Sequence, residues 1–184
     1  EKTNRKEKQT IAKLVASMIE DGDSIILDSS STSLMVAQEL KDRKKLTVIT
    51  NSLEVLIEFS KSKGVQVIST GGMLKSSTLS LVGKNAEKTL ENFYVDKAII
   101  SCKGLDVRKG VTDSSEAEAE IKKSMVSCSK RLILAADSTK FGIISFAKVV
   151  DFRKGDILVT DTLPDDTWAQ RLADIGVIVV TEDS

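Results

Sequence analysis

Ser24-Ile25-Ile26-Leu27-Asp28-Ser29-Ser30-Ser31-Thr32-Ser33 joins a short apolar run to a row of hydroxyl side chains, and its reading decides the fold. Residues 24–28 are too few for a helix and rich in β-branched side chains, so they read as a strand. The run is continuously apolar rather than alternating, which implies burial on both faces. Leu34, Val36, Ala37 and Leu40 then recur at helical spacing. A strand feeding a helix through a polar turn is the unit from which the rest is built.

The same unit recurs in both directions. Upstream, Ile11, Leu14, Val15, Met18 and Ile19 mark an amphipathic helix that Asp21-Gly22 ends. Downstream, strands at 46–50 and 65–69 flank a helix beginning near Leu53. A helix from Lys84 to Asn92 precedes a strand at 97–101, and another follows Ser115, where Ser115 and Glu118 have capping-box spacing. Strands at 131–135, 156–160 and 177–180 complete the pattern, with a helix starting near Pro164. Met73 to Val82 has no clear period and reads as a long loop. Strands alternating with helices predict a three-layer, Rossmann-like α/β fold: a mostly parallel sheet with helices on both faces.

Composition narrows the chemistry. The chain has 184 residues, enough for one domain with a substantial core. Lys and Arg total 27 and Asp and Glu total 27, so bulk electrostatics give this segment no affinity for nucleic acid. The absence of histidine excludes a Ser-His-Asp triad and a His-ligated metal. Cys102 and Cys128 form no metal-binding pair and read as reduced cytoplasmic thiols. No apolar run is long enough for a membrane span, and no signal peptide opens the chain. The chain starts at Glu1 rather than Met, which reads as a piece of a longer cytoplasmic protein.

In sheets of this kind ligands collect at the carboxyl ends of strands, beside helix N-termini. The hydroxyl row after Asp28 suits a phosphate, which helix N–H groups and short hydroxyls bind well, although N-capping also selects Ser and Thr. Asn51 and Glu54 have N-cap-to-N3 spacing, so capping explains the asparagine as well as ligand contact does. Gly71-Gly72 allows either a close backbone approach to ligand or a plain turn. Lys140, in Asp137-Ser138-Thr139-Lys140-Phe141-Gly142, offers a point charge for phosphate. No GxGxxG or GxxxxGK[ST] motif is present. The residues describe a binder of a phosphorylated small molecule without catalytic apparatus, metal or cofactor.

Taken together these loops resemble the C-terminal effector-sensing domain of DeoR-family bacterial transcriptional repressors. The resemblance rests on Ile11-Ala12, Asp21-Gly22-Asp23, Asp28-Ser29-Ser30-Ser31-Thr32, Thr50-Asn51-Ser52, Gly71-Gly72, Ser80-Leu81-Val82-Gly83, Asp96-Lys97-Ala98, residues 137–142 and Thr160-Asp161. It implies a fold similar to ribose-5-phosphate isomerases and a phosphorylated sugar or related effector. It also implies a winged helix-turn-helix domain ahead of this segment, through which alone DNA would be bound. The ligand set it implies is Asp28 with Ser30, Ser31 and Thr32, the last three holding phosphate. Asn51, Gly72 and Lys75 would line the sugar side, Gly104 and Asp106 would meet the sugar carbons, and Lys140 and Lys8 would add positive charge. The family usually has glycine at the position of Ser30 and often arginine at that of Lys75.

The competing reading is an active sugar-phosphate isomerase. Those enzymes carry Asp-Gly-Ala-Asp where this chain has Cys102-Lys103-Gly104-Leu105-Asp106, and Asp106 with Glu118 does not rebuild the acid pair. Self-association is expected, because helix-turn-helix proteins read paired half-sites as symmetric oligomers. The helix from Ile11 to Ile19 and the strand near Val177 are the expected apolar surfaces.

Overall fold

The apolar runs become strands of one parallel sheet because helices cover both of its faces. In the computed structural model, which describes residues 4–184, the first half runs α1 (Arg5–Ser17), β1 (Ser24–Leu27), α2 (Ser31–Leu40), β2 (Leu46–Thr50), α3 (Leu53–Phe59) and β3 (Val65–Ser69). A hairpin follows, β4 (Met73–Lys75) and β5 (Ser80–Val82), then α4 (Lys84–Leu90), β6 (Val95–Ile100), β7 (Gly104–Asp106) and β8 (Gly110–Asp113). The remainder is α5 (Glu116–Ser127), β9 (Ser129–Ala135), β10 (Ala147–Val150), β11 (Ile157–Val159), α6 (Asp166–Ile175) and β12 (Ile178–Val180).

The main sheet has the order β12-β11-β9-β6-β1-β2-β3, every neighbouring pair parallel. Successive side chains on a strand point to opposite faces, and each face finds its own core. Ile25, Leu27, Val48, Ile99 and Ile133 join residues of α1, α2 and α3 such as Ile11, Val36 and Phe59. Ile26, Ile49, Ile100 and Leu134 join Ala86, Ile121, Met125 and Leu172 of α4, α5 and α6. Two cores separated by a sheet are the three layers that the apolar runs predict.

Three local differences have physical causes. Residues 73–82 are a hairpin rather than an irregular loop, with Leu74 opposite Leu81. β4 is mostly exposed, and the buried face of three-residue β5 begins with a polar residue, Ser80, so no apolar alternation marks the pair. A second small sheet, β10-β8-β7, is antiparallel, and the segment after Phe141 folds against it. A Cβ on Gly104 would lie 2.2 Å from the Ile143 carbonyl oxygen, so this close approach requires glycine. The last helix starts after Pro164, with Asp165 as its cap.

α1 does not present the apolar surface expected for self-association. Ile11, Val15 and Ile19 are buried inside this chain, and α1 packs on α2. Ile178 on the edge strand β12 is partly exposed. Among the described residues, no helix is long and apolar enough to cross a membrane.

Candidate functional site

The carboxyl ends of β1, β6 and β9 open into a cleft of about 730 Å³ between the two helical layers. Its floor is braced by Asp28, which is completely buried. Asp28 Oδ1 accepts hydrogen bonds from the Ser30 N–H (3.2 Å), the Ser30 hydroxyl (2.6 Å) and the Ser33 hydroxyl (2.6 Å). Its Oδ2 accepts from the Ser101 N–H at 2.7 Å and lies 3.4 Å from Lys122 Nζ. Lys122 in turn donates to Asp113 Oδ2 at 2.6 Å and to the Ser101 carbonyl at 2.9 Å. Burial alone would raise the Asp28 carboxyl, but the Lys122 charge and the donated hydrogen bonds hold it below the usual carboxylate range. Burial likewise opposes the Lys122 charge, and Asp28 with Asp113 overcomes that and holds the ammonium above the usual lysine range. Asp28 and Lys122 therefore stay ionised, and with Asp113 they tie β1, β6, β8 and α5 together beneath the cleft.

Ser30 is the N-cap of α2, its hydroxyl accepting from the Ser33 N–H at 3.0 Å while donating to Asp28. Its side chain is thus committed internally. Ser31 and Thr32 differ. Both line the cleft in the first turn of α2, where N–H groups have no intrahelical acceptor. Among the described residues neither hydroxyl has a hydrogen-bond partner, and the Thr32 oxygen, in a residue only 5% exposed, is not an orphaned buried atom. Lys8 from α1 and Lys140 from the turn 138–140 line the same cleft. That turn is fixed by Asp161 beyond β11, which accepts from the Ser138 N–H (2.7 Å) and hydroxyl (3.1 Å). Asp137 caps it, accepting from the Thr139 N–H and hydroxyl. Helix N–H groups, hydroxyls and two ammonium groups in one concavity suit an anion.

The other layer contributes a different chemistry. Ser115 caps α5 by accepting from the Glu118 N–H at 3.2 Å, as the capping box predicts. The Glu118 side chain does not reach back to complete that box. It turns to the hairpin, where its Oε1 accepts from the Ser80 hydroxyl (2.8 Å) and the Thr78 hydroxyl (3.3 Å) and lies 3.8 Å from Lys75 Nζ. Lys75 also donates to the Ser115 hydroxyl at 3.1 Å. Lys75, Thr78, Glu118 and Lys122 all line the cleft.

Of the residues expected in the site, the cleft gathers Lys8, Ser30, Ser31, Thr32, Lys75 and Lys140, with Asp28 beneath it. Asn51, Gly72, Gly104 and Asp106 are not in its lining. Ser52, not Asn51, caps α3. Asn51 instead donates to the Leu81 carbonyl at 3.0 Å, anchoring the hairpin. Gly72 has φ 112°, and a Cβ there would meet the Val82 carbonyl oxygen at 2.7 Å. Asp106 accepts from the Arg108 and Lys109 N–H groups in the β7–β8 turn. An isomerase-like acid pair is thus not assembled in the cleft. Cys102 lines it, but burial pushes its thiol up to about 12, so it is no nucleophile at neutral pH.

Glu118 as a cleft residue, and Lys122 altogether, escaped the reading of the strand-end loops because they arrive from the first turns of α5. Their signal was nevertheless present. Glu118, Ile121, Lys122 and Met125 share one stripe of an α-helix, and a charge on a stripe otherwise buried needs a buried partner.

Comparison with known proteins identifies the family and the fold. The family model described as the DeoR C terminal sensor domain matches residues 3–162. The HTH-type transcriptional regulator YulB of Bacillus subtilis is 42% identical over 177 residues, spanning 96% of this chain and 68% of its own length. The HTH-type transcriptional regulator GolR of Listeria innocua is 34% identical over 176 residues, spanning 96% of this chain and 69% of its own. Ribose 5-phosphate isomerase A of Methanocaldococcus jannaschii superposes with a TM-score of 0.55 at 16% identity, over 76% of this chain and 55% of that one, a likeness of fold alone. The similar sequences are regulators, and the matching domain is a sensor rather than an enzyme. The chain belongs to the family of DeoR C-terminal sensor domains.

Proposed function

We propose that the cleft binds a phosphorylated sugar or a closely related phosphate ester as the effector of a transcriptional regulator. The observation that carries this reading is the set of uncommitted donors at the start of α2. Ser31 and Thr32 present hydroxyls and first-turn N–H groups to a cleft that also holds Lys140 and Lys8. A phosphate dianion can accept from all of them, and the dipole of α2 adds to the attraction. DNA binding belongs to a helix-turn-helix domain preceding this segment in the full regulator, and the regulator acts in the cytoplasm as a homo-oligomer. The HTH-type names of the similar sequences support the separate DNA-binding domain, as does the third of their length that lies outside the matched region.

Calorimetry with a panel of pentose 5-phosphates and hexose 6-phosphates, each beside its unphosphorylated sugar, tests the reading. The phosphorylated form of at least one sugar binds, its free sugar binds far more weakly, and Thr32→Val and Lys140→Met each weaken binding about tenfold or more. Equal binding of free and phosphorylated sugars would place the phosphate elsewhere.

A further inference from the structure

We propose that Glu118 is the residue by which the cleft selects polyhydroxylated phosphate esters over simple ones, its free carboxylate oxygen accepting hydroxyl hydrogens of the ligand. This deepens the phosphate reading and rests on it. Lys8 of α1, the start of α2 and Lys140 bring cations and donors, suited to phosphate. Glu118 of α5 brings a carboxylate beside Lys75: it is 6% exposed and lines the cleft.

Its two oxygens are used unequally. Oε1 takes the Ser80 and Thr78 hydroxyls and faces Lys75. Among the described residues, Oε2 receives no hydrogen bond, although it is not an orphaned buried atom. A nearly buried carboxylate with one saturated oxygen and one open to a cleft is an acceptor in search of donors. A phosphate ester carrying only an alkyl chain offers none, and would strip water from Oε2 without replacing it. Vicinal hydroxyls offer several, and Lys75 beside the carboxylate can donate to the oxygen of a hydroxyl whose hydrogen goes to Glu118. Asp113 and Asp28, carboxylates near the floor, are engaged by Lys122. Asp137 also lines the cleft, but it caps the 138–140 turn that carries Lys140, its Oδ1 accepting from the Thr139 N–H and hydroxyl, and so stands among the cationic, phosphate-side groups. Glu54 also lines the cleft, but it is exposed, so water already serves it.

The competing explanation is that Glu118 only latches the hairpin to α5. Discrimination separates the two roles, because a latch affects every ligand alike. The test compares binding of the tightest sugar phosphate from the panel, of n-propyl phosphate and of inorganic phosphate to the wild-type chain, to Glu118→Gln, and to the double variant Thr78→Val/Ser80→Ala. In the wild type the sugar phosphate binds about tenfold or more tighter than n-propyl phosphate, reflecting hydrogen bonds to a charged acceptor. In Glu118→Gln that preference falls to about threefold or less, while n-propyl phosphate and inorganic phosphate keep their affinity. The latch variant keeps the preference. If the Gln chain does not fold, Glu118→Asp, which withdraws the carboxylate by one methylene, must give the same collapse.

A preference that survives in the Gln or Asp variant, or that collapses equally in the latch variant, overturns the inference and leaves the phosphate reading standing. So does equal wild-type affinity for n-propyl phosphate and every sugar phosphate. If no phosphate ester binds the wild type, the phosphate reading itself fails, and this inference fails with it.

Discussion

Asp28 and Thr32 lie four residues apart on the same strand-to-helix turn, and the structure uses them in opposite ways. Both oxygens of Asp28 are occupied by donors from the chain itself. The Thr32 hydroxyl has no partner among the described residues and opens to the cleft. Polarity and burial do not separate the two, since both side chains are polar and buried. What separates them is saturation. A polar group satisfied from within holds the fold, whereas one left open at a concavity is available to a ligand.

That contrast makes its largest prediction at Lys122. Lys122→Met leaves Asp28 and Asp113 without their buried counter-charge and lowers unfolding free energy by about 3–5 kcal/mol in urea titration. With the ammonium gone, burial pushes the Asp28 carboxyl up, so the deficit shrinks as pH falls from about 7 to about 5. In the wild type the signs are reversed. Asp28 contributes fully above its ordinary value of 3.8, and that contribution is lost as pH falls through its depressed folded value. Lys122 contributes fully below its ordinary value of 10.5, and loses that contribution as pH rises through its raised folded value. Between those limits the brace contributes a flat plateau, and a wild-type stability that fell steadily from pH 9 to pH 5 would break the assignment.

A smaller effect is expected one layer out. Ser33→Ala removes a buried donor to Asp28 and costs about 1.5–3 kcal/mol of stability, measurable in the same titration. Ser30→Ala removes both an N-cap and a donor to Asp28, costing about 1–2 kcal/mol. The smallest stability effect is expected at the rim. Thr32→Val changes unfolding free energy by about 0.5 kcal/mol or less, although it weakens the phosphorylated ligand about tenfold. A Thr32→Val chain as unstable as Ser33→Ala would erase the distinction between brace and rim.

The central architecture was legible because its strands carry apolar residues on both faces. Ile25-Ile26-Leu27 could be read as doubly buried, and Ile25 and Ile26 do belong to different cores. The gathering of Ser30, Ser31, Thr32 and Lys140 at one cleft was legible for a related reason: they follow strands directly, so position along the chain gives position in space. Glu118 and Lys122 were harder to place, because their neighbours at the cleft come from residues 28, 75, 78 and 80, and single-sequence periodicity carries no information on such pairings. The hairpin escaped because its strands have three residues each and its buried Ser80 is polar, which leaves no apolar alternation. Gly72, Gly104 and Asp106 lie outside the cleft lining, and backbone approach or turn geometry accounts for each of them, a requirement that single-sequence reading does not separate from ligand contact.

The hold of Asp161 on the turn that carries Lys140 also has a consequence in time. The proposed phosphate rim draws on Lys8, Ser31, Thr32 and Lys140, and the last of these is positioned by a residue beyond β11. A ribosome must release the chain past Asp161, and β11 must pair beside β9, before the rim exists. A nascent segment ending before Asp161 lacks the contacts that hold this turn, so the rim belongs to the folded domain. Any ligand that binds this rim therefore also stabilises the whole domain by mass action, rising with the logarithm of its concentration above its dissociation constant. Effector supply would then set the lifetime of the regulator as well as its activity.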